Sequence, residues 1–265
     1  MANSTIPSSF DIRASSLITI MDNSHLALLF AAVAMIAFLY SSVGHAGASG
    51  YIAVMALFGL AANVIRPTAL VLNILVATIG SFQFWRAGHF SWKLFWPFAL
   101  FSIPAAYLGG YVRLPVAVLR MVIGLVLLFS AARLFFRKRD PDDVAPPAVG
   151  LAVPIGAGLG LLSGLTGTGG GIFLTPLLLF CHWARTKQAS AVSALFILVN
   201  SIAGLTGFLS AKQTVPGLAL PLSGAAIIGG TIGSYLGSRR FPIRAIAILL
   251  ATVLVIAGCK LIFTR

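Results

Sequence analysis

The sequence predicts an all-α polytopic membrane protein made of two homologous halves arranged as inverted repeats, with broken helices at glycine-rich motifs. Three observations carry that expectation. Of 265 residues, 59% are hydrophobic and 9% charged, with a mean hydropathy of +1.02, far above the range of a soluble domain. The apolar residues gather into runs long enough to cross a ~30 Å hydrocarbon core at ~1.5 Å per residue. A run of small residues then interrupts an apolar segment twice, as Ser41-Ser42-Val43-Gly44-His45-Ala46-Gly47-Ala48-Ser49-Gly50 and as Ser163-Gly164-Leu165-Thr166-Gly167-Thr168-Gly169-Gly170-Gly171. Unwound backbone inside a bilayer leaves polar groups unpaired, so it persists only where protein or a polar cavity covers it. Breaks at matching places in two halves mark a transporter's binding site. The chain therefore reads as a secondary transporter whose site lies between the breaks.

Charge narrows the classes further. The net charge is +13, but the basic residues sit singly or in short clusters at the ends of apolar runs. That is the pattern of interfacial anchors and of a positive-inside bias, so the partner is the lipid bilayer and no nucleic acid is expected. A positive surface also attracts anions. The only carboxylates, Asp11, Asp22, Asp140, Asp142 and Asp143, lie outside the apolar segments, which argues against an acidic cation pathway or proton relay. Cys181 and Cys259 stand alone without metal-ligand spacing, and neither cofactor nor metal is expected.

In chain order, residues 1–23 form a polar tail without the features of a signal peptide, with a short interfacial helix expected at 15–21. The first repeat, 24–136, opens with a span at 24–40, passes the first break and continues as a short apolar piece at 51–60. Pro67 is expected to open the next span, ending at residue 85, because its missing N–H needs no partner in a first helical turn. Arg86, His89 and Lys93 with Trp85, Trp92 and Trp96 form an interfacial belt. The span at 94–110 contains Pro97 and Pro104, the second deep enough to kink it, and Arg113 and Pro115 lead into 116–136. A polar linker at 137–148 joins the halves. The second repeat, 149–265, offers spans at 149–162, 172–183, 186–210, 215–236 and 243–263.

Landmarks recur in the same order at two offsets, the second half carrying six extra residues between the two sets. A shift of 121 places Ser42 on Ser163, Gly50 on Gly171 and Arg66 on Lys187; a shift of 127 places Arg113 on Arg240, Pro115 on Pro242, Arg133 on Lys260 and Phe136 on Phe263. If the short post-break pieces cross, each half has an odd number of segments and the second is inverted. Arg86, Lys93, Arg133, Arg137, Lys138, Arg139, Arg185, Lys187, Arg239, Arg240 and Arg244 then share one side, against the remaining seven Lys and Arg. The bias puts the linker inside and both termini outside. With single-pass broken helices the split is ten to eight and decides nothing.

The run Gly164-Leu165-Thr166-Gly167-Thr168-Gly169-Gly170-Gly171-Ile172-Phe173-Leu174-Thr175-Pro176 resembles the glycine-rich signature of the TauE/SafE (sulfite exporter) permeases. Arg66-Pro67-Thr68-Ala69-Leu70-Val71-Leu72-Asn73 and Ala191-Val192-Ser193-Ala194-Leu195-Phe196 are similar to the Ala/Ser-rich helices that follow the breaks in that family. The resemblance covers residues 26–263. It implies transport of small sulfur-containing anions such as sulfite, sulfoacetate or organosulfonates across a bacterial inner (plasma) membrane, by a two-repeat protein of about eight spans. The first break departs from the pattern, with fewer glycines and an added histidine.

The residues themselves offer a chemistry for such a site. Backbone N–H groups at helix N-termini hold oxyanions without a full positive charge, and glycine permits close backbone approach. The substrate-binding candidates are Gly44, His45, Gly47, Ser49 and Gly50 in the first break, and Thr166, Gly167, Thr168, Gly169, Gly170 and Gly171 in the second. Close helix packing is the plainer role for the glycines. His45 is read either as an anion donor or coupled proton carrier, or as a buried neutral group satisfying the backbone. His25, His89 and His182 are read as interfacial. Asn73, Gln83 and Asn200, placed in apolar segments, are candidates for substrate contact or for interhelical bonds. Arg66 and Lys187, matched across the repeat, serve as anchors or as gates at each mouth.

Two other classes remain in view. An anion channel draws on the same residues. An intramembrane enzyme needs a nucleophile, base or metal set, for which the chain shows no clustered candidates; no catalytic residue is assigned, and oligomeric state is left open.

Overall fold

The computed structural model describes residues 23–60, 62–112 and 144–240, with isolated positions 128, 132, 242, 248, 251, 252, 255, 256 and 259. The expected interfacial helix at 15–21 and the spans at 116–136 and 243–263 lie outside the described residues or touch them only at those positions. Among the described residues there are eight helices and no strand. They are α1 Asn23–Ser42, α2 Ala48–Leu57, α3 Ala62–Arg86, α4 Trp92–Tyr111, α5 Val149–Thr166, α6 Gly171–Phe180, α7 Thr186–Ser210 and α8 Ala219–Arg239. Five, namely α1, α3, α5, α7 and α8, are long and apolar enough to cross a membrane. The 20-residue α4 matches them in length.

Helix ends follow local chemistry. At the end of α1, Gly44 takes φ +78° while the N–H of His45 reaches back to the Tyr40 carbonyl at 2.9 Å, the pattern of a left-handed glycine cap. Gly59 and Gly88 close α2 and α3 in the same way. His182, at φ 56°, ends α6 at Phe180, three residues short of the expected 183, because the chain turns left-handed there. α3 begins at Ala62 rather than at Pro67, which lies inside the helix; a proline so near the start removes a single intrahelical bond and is tolerated. α8 begins at Ala219 rather than 215, since Pro216 and Gly217 form the turn that accepts the N–H groups of Ala219 and Leu220. Pro97 and Pro104 both lie within α4, which runs through them.

Two 25-residue helices, α3 and α7, form the centre. Asn73 Nδ2 is 3.4 Å from Ser201 Oγ, and a Cβ on Gly80 would lie 3.9 Å from that of Ala194. As one number rises the other falls, so α3 and α7 run antiparallel. Around them stand two parallel pairs. A Cβ on Gly156, Gly160 or Gly164 of α5 would overlap the carbonyls of Phe98, Ser102 or Ala106 of α4. A Cβ on Gly229, Gly233 or Gly237 of α8 would likewise overlap the carbonyls of Ala34, Phe38 or Ser42 of α1. Lipid tails are as apolar as leucine, so helices in a bilayer associate through close packing, and glycine every fourth residue lets two backbones touch.

These contacts fix direction. α4 and α5 end beside the start of α3, where Arg66 bonds Gly109, Gly110 and Gly164; this end is face A. α1 and α8 end beside the start of α7, where Lys187 and His89 both reach the Ser238 carbonyl; this end is face B. Between them, α2 leads from the first interruption back to face A, and α6 from the second back to face B. Each has 10 residues, about 15 Å of helix. That is half the hydrocarbon thickness, so neither crosses alone.

Candidate functional site

The two interruptions meet. His45 Nε2 lies 3.0 Å from the carbonyl oxygen of Gly171, the first residue of α6. A carbonyl only accepts, so the imidazole donates through Nε2–H. The ring is buried. Val43 is held by the Ser190 hydroxyl at 2.8 Å, and a Cβ on Gly44 would collide with the Ser190 backbone. The first interruption is thus laid directly on α7.

The second is wedged between α3 and α7. Gly167, Gly169 and Gly170 all have φ near +75 to +79°, a region open to glycine at little steric expense. A Cβ on Gly169 would lie 3.0 Å from Asn73 Nδ2 and 2.9 Å from Ser201 Oγ, and one on Gly171 would press on Ile197. Asn73 and Ile197 are close to the middle of their helices, so this segment reaches the central level of the bundle. α2 and α6 start from this zone and leave it toward opposite faces. Their first turns hold N–H groups with no partner inside the helix, and no side chain caps α6.

The hydroxyls of the candidates Ser49, Thr166 and Thr168 are engaged. Thr166 bonds the Leu162 carbonyl at 2.7 Å and shares a 2.8 Å bond with Thr168, while Ser49 bonds the Tyr40 hydroxyl at 2.9 Å. Other buried polar atoms near the interruptions have no partner: Tyr51 Oη, Thr68 Oγ1, Asn73 Oδ1, Ser163 Oγ and Asn200 Oδ1. Buried polar atoms are nearly always paired, and each exception calls for an explanation. Asn200 Nδ2 is spent on its own helix, at 2.8 Å from the Phe196 carbonyl. Tyr51, Thr68 and Ser163 were not singled out as ligands from the sequence, nor was the 2.6 Å Thr175–Ser193 bond that ties α6 to α7. Ser190 and Ser193 stand three apart on one face of α7, the only sequence signal for that polar stripe.

Arg66, Lys187 and Gln83 lie apart from the interruptions' meeting point. Arg66 Nη2 donates to Gly164 at 2.6 Å and to Gly109 and Gly110 at 3.2 Å each, with its guanidinium 5.6 Å from the Phe208 ring centroid. It thereby caps the negative ends of two helices. Lys187 makes one 3.4 Å bond to Ser238. Gln83 donates to the Thr231 carbonyl at 3.2 Å, near face B, and is not brought to the interruptions. His89, in the loop beyond α3, is pushed below its ordinary value first by burial, with the Ser238 carbonyl opposing and Lys187 reinforcing the shift. No carboxylate side chain occurs among the described residues.

Comparison with known proteins adds the identity of the family. The sulfite exporter TauE/SafE family matches residues 29–261. The probable membrane transporter protein y4hK of Sinorhizobium fredii is 41% identical over 234 residues, covering 86% of this chain and 95% of that one. The probable membrane transporter protein YjnA of Bacillus subtilis is 27% identical, over 83% of this chain and 92% of that one. No solved structure matches. With five membrane-length apolar helices packed on glycine and a match that runs nearly end to end, the chain is an integral membrane protein belonging to the TauE/SafE family of membrane transporters.

Proposed function

We propose that this protein is a secondary carrier of small sulfur-containing anions, such as sulfite, sulfoacetate or organosulfonates, working by alternating access with the anion between the N-termini of α2 and α6. One observation carries the reading. Two half-helices begin at the central level, joined by the His45–Gly171 bond, amid buried polar groups without partners. Each N-terminus contributes roughly half a positive charge, and no carboxylate among the described residues opposes them. Unpartnered hydroxyls of Tyr51, Thr68 and Ser163 are then ligands for a polar guest, and Asn73 and Asn200 orient it.

The inverted-repeat arrangement of 24–136 and 149–265 is part of this proposal. Exchanging α1 with α5, α2 with α6, α3 with α7 and α4 with α8 turns every packed pair except α1/α2 into another packed pair, and the central α3/α7 pair into itself. The antiparallel run of α3 and α7 supports inversion rather than a parallel repeat. Six described cations, Arg86, Lys93, Arg185, Lys187, Arg239 and Arg240, belong to face B, against Arg66 and Lys212 at face A, which supports face B as cytoplasmic in a bacterial inner membrane.

The test is counterflow of labelled sulfite and of a labelled organosulfonate in proteoliposomes, with single-channel recording alongside. Saturable counterflow is expected. Unitary current steps without counterflow would replace the carrier by a channel. Gly50→Ala/Ile36→Ala is the companion variant: the new Cβ would meet Ile36 Cγ2, a methyl held on a stiff β-branched carbon, so truncating Ile36 makes room while the backbone loses its close approach. Undiminished counterflow by that variant would remove the first interruption from the mechanism.

A further inference from the structure

A groove of about 490 Å³ opens between the face-B ends of α3 and α8, away from the interruptions. Thr78, Phe82 and Gln83 line its wall. Arg86 and Arg239, each in the last turn of its helix, stand at the rim. Arg86 lies 5.5 Å from the Phe82 ring centroid and Arg239 lies 5.0 Å from that of Tyr235, so both guanidinium planes are held by aromatic faces rather than by acids. Gln83 donates to Thr231 and keeps its Oε1 buried without a partner. Below the rim, Phe82, Ile228 and Ile232 are exposed apolar side chains. Trp85 and Trp92, also exposed, mark the water boundary beside it.

We propose that this groove holds the headgroup of an anionic glycerophospholipid, its phosphodiester between Arg86 and Arg239 and an acyl chain along Phe82. Three features fit that occupant together. Two cations at the depth of the headgroups attract net negative charge. The apolar wall continues below them into the hydrocarbon. Gln83 Oε1 is an acceptor for a headgroup hydroxyl, and only a lipid also places acyl carbon on the apolar wall, which an inorganic anion lacks. A zwitterionic lipid brings its own cation to a rim that already carries two.

The experiment uses the full chain in nanodiscs with a diazirine-bearing phosphatidylglycerol, and native mass spectrometry in detergent with phosphatidylglycerol, phosphatidylcholine or inorganic phosphate added. Labelling is expected at 78–86 and 231–239, with phosphatidylglycerol retained at least about ten-fold better than phosphatidylcholine. R86Q/R239Q should bind it about twenty-five-fold more weakly, at roughly five-fold per cation, while Lys212→Gln at the opposite face changes nothing. Labelling elsewhere, equal retention of phosphatidylcholine, displacement by equimolar phosphate, or full affinity in the double variant would each overturn the assignment. If the double variant does not fold, the labelling map of the unaltered protein decides.

Discussion

Arg66 gives the sharpest energetic test of this architecture, because one nitrogen serves two helix ends. Its Nη2 carries two N–H groups and faces three carbonyls, Gly164 at 2.6 Å and Gly109 and Gly110 at 3.2 Å. Hydrogen bonds to a charged group contribute about 1.5–3 kcal/mol each, so two at a time give about 3 kcal/mol at the low end, before any helix-dipole gain. Arg66→Met keeps the apolar stem and removes the donors. It should lower the unfolding free energy in mixed micelles by about 3 kcal/mol. Arg66→Lys keeps the charge without the planar fork and should fall between. The matched cation supplies the control: Lys187 makes a single 3.4 Å bond to a carbonyl it shares with His89, so Lys187→Met should cost about 0.5 kcal/mol. Equal losses at the two positions, or an Arg66→Met loss under about 0.5 kcal/mol, would refute the view that Arg66 staples α4 to α5.

Gly160→Ala and Gly233→Ala drive a Cβ into facing backbone and should each destabilise by about 1–3 kcal/mol. Gly158→Ala and Gly224→Ala meet nothing within 4 Å and should be neutral, or stabilising by up to about 1 kcal/mol; thermal melts in one detergent compare all four. Tyr51→Phe and Ser163→Ala delete buried hydroxyls that have no protein partner, so melting should hold or rise, while the half-saturation concentration for transport rises about ten-fold, near the worth of one bond. Unchanged half-saturation in both would remove them from the anion's surroundings. His89 has a pKa lowered in the folded protein from its ordinary 6.5, chiefly by burial, so it favours the fold while neutral. Its contribution is complete above the unfolded pKa and is lost as pH falls through the folded one. Melting temperature should therefore drop on acidification from about pH 7.5 to 5, and His89→Gln should shrink that drop.

The parts legible in the sequence were those governed by local rules. Gly44 and Gly167 end helices because the left-handed conformation is nearly free only for glycine, and that reads directly from residue type. The span edges at Thr186 and Ser210 were equally local. Other features depend on what lies across the bundle. Gly156, Gly160 and Gly164 look like any small residues in a helix where glycine and alanine abound, and only the facing carbonyls of α4 give them a role. Thr166 and Thr168 have hydroxyls that suit an anion by residue type, and only the folded chain shows them bonded to Leu162 and to each other. Gln83 resembles Asn73 as an amide in an apolar run, yet ten residues of helix carry it some 15 Å toward face B. The spans at 116–136 and 243–263 fall outside the described residues.

The placement of glycine also bears on how such a carrier moves. Rocking one half rigidly against the other would slide α4 along α5 and α1 along α8, since each pair joins the two halves. Both interfaces have backbone against backbone at three successive glycines, and a shift would set larger residues against those carbonyls. α2 and α6 are built differently. Each is 10 residues long and lies between left-handed positions, Gly47 and Gly59 around one and Gly170 and His182 around the other. These are the places where a chain absorbs large dihedral changes. We therefore hypothesise that access alternates by movement of the half-helices on a fixed frame of long ones. The 2.6 Å contact between Thr175 and Ser193 supplies the lock. In a background with Cys181 and Cys259 changed to serine, Thr175→Cys/Ser193→Cys should transport when reduced, stop when oxidised, and recover on reduction. Full counterflow with the disulfide verified by mass spectrometry would place the motion elsewhere, in the long helices themselves.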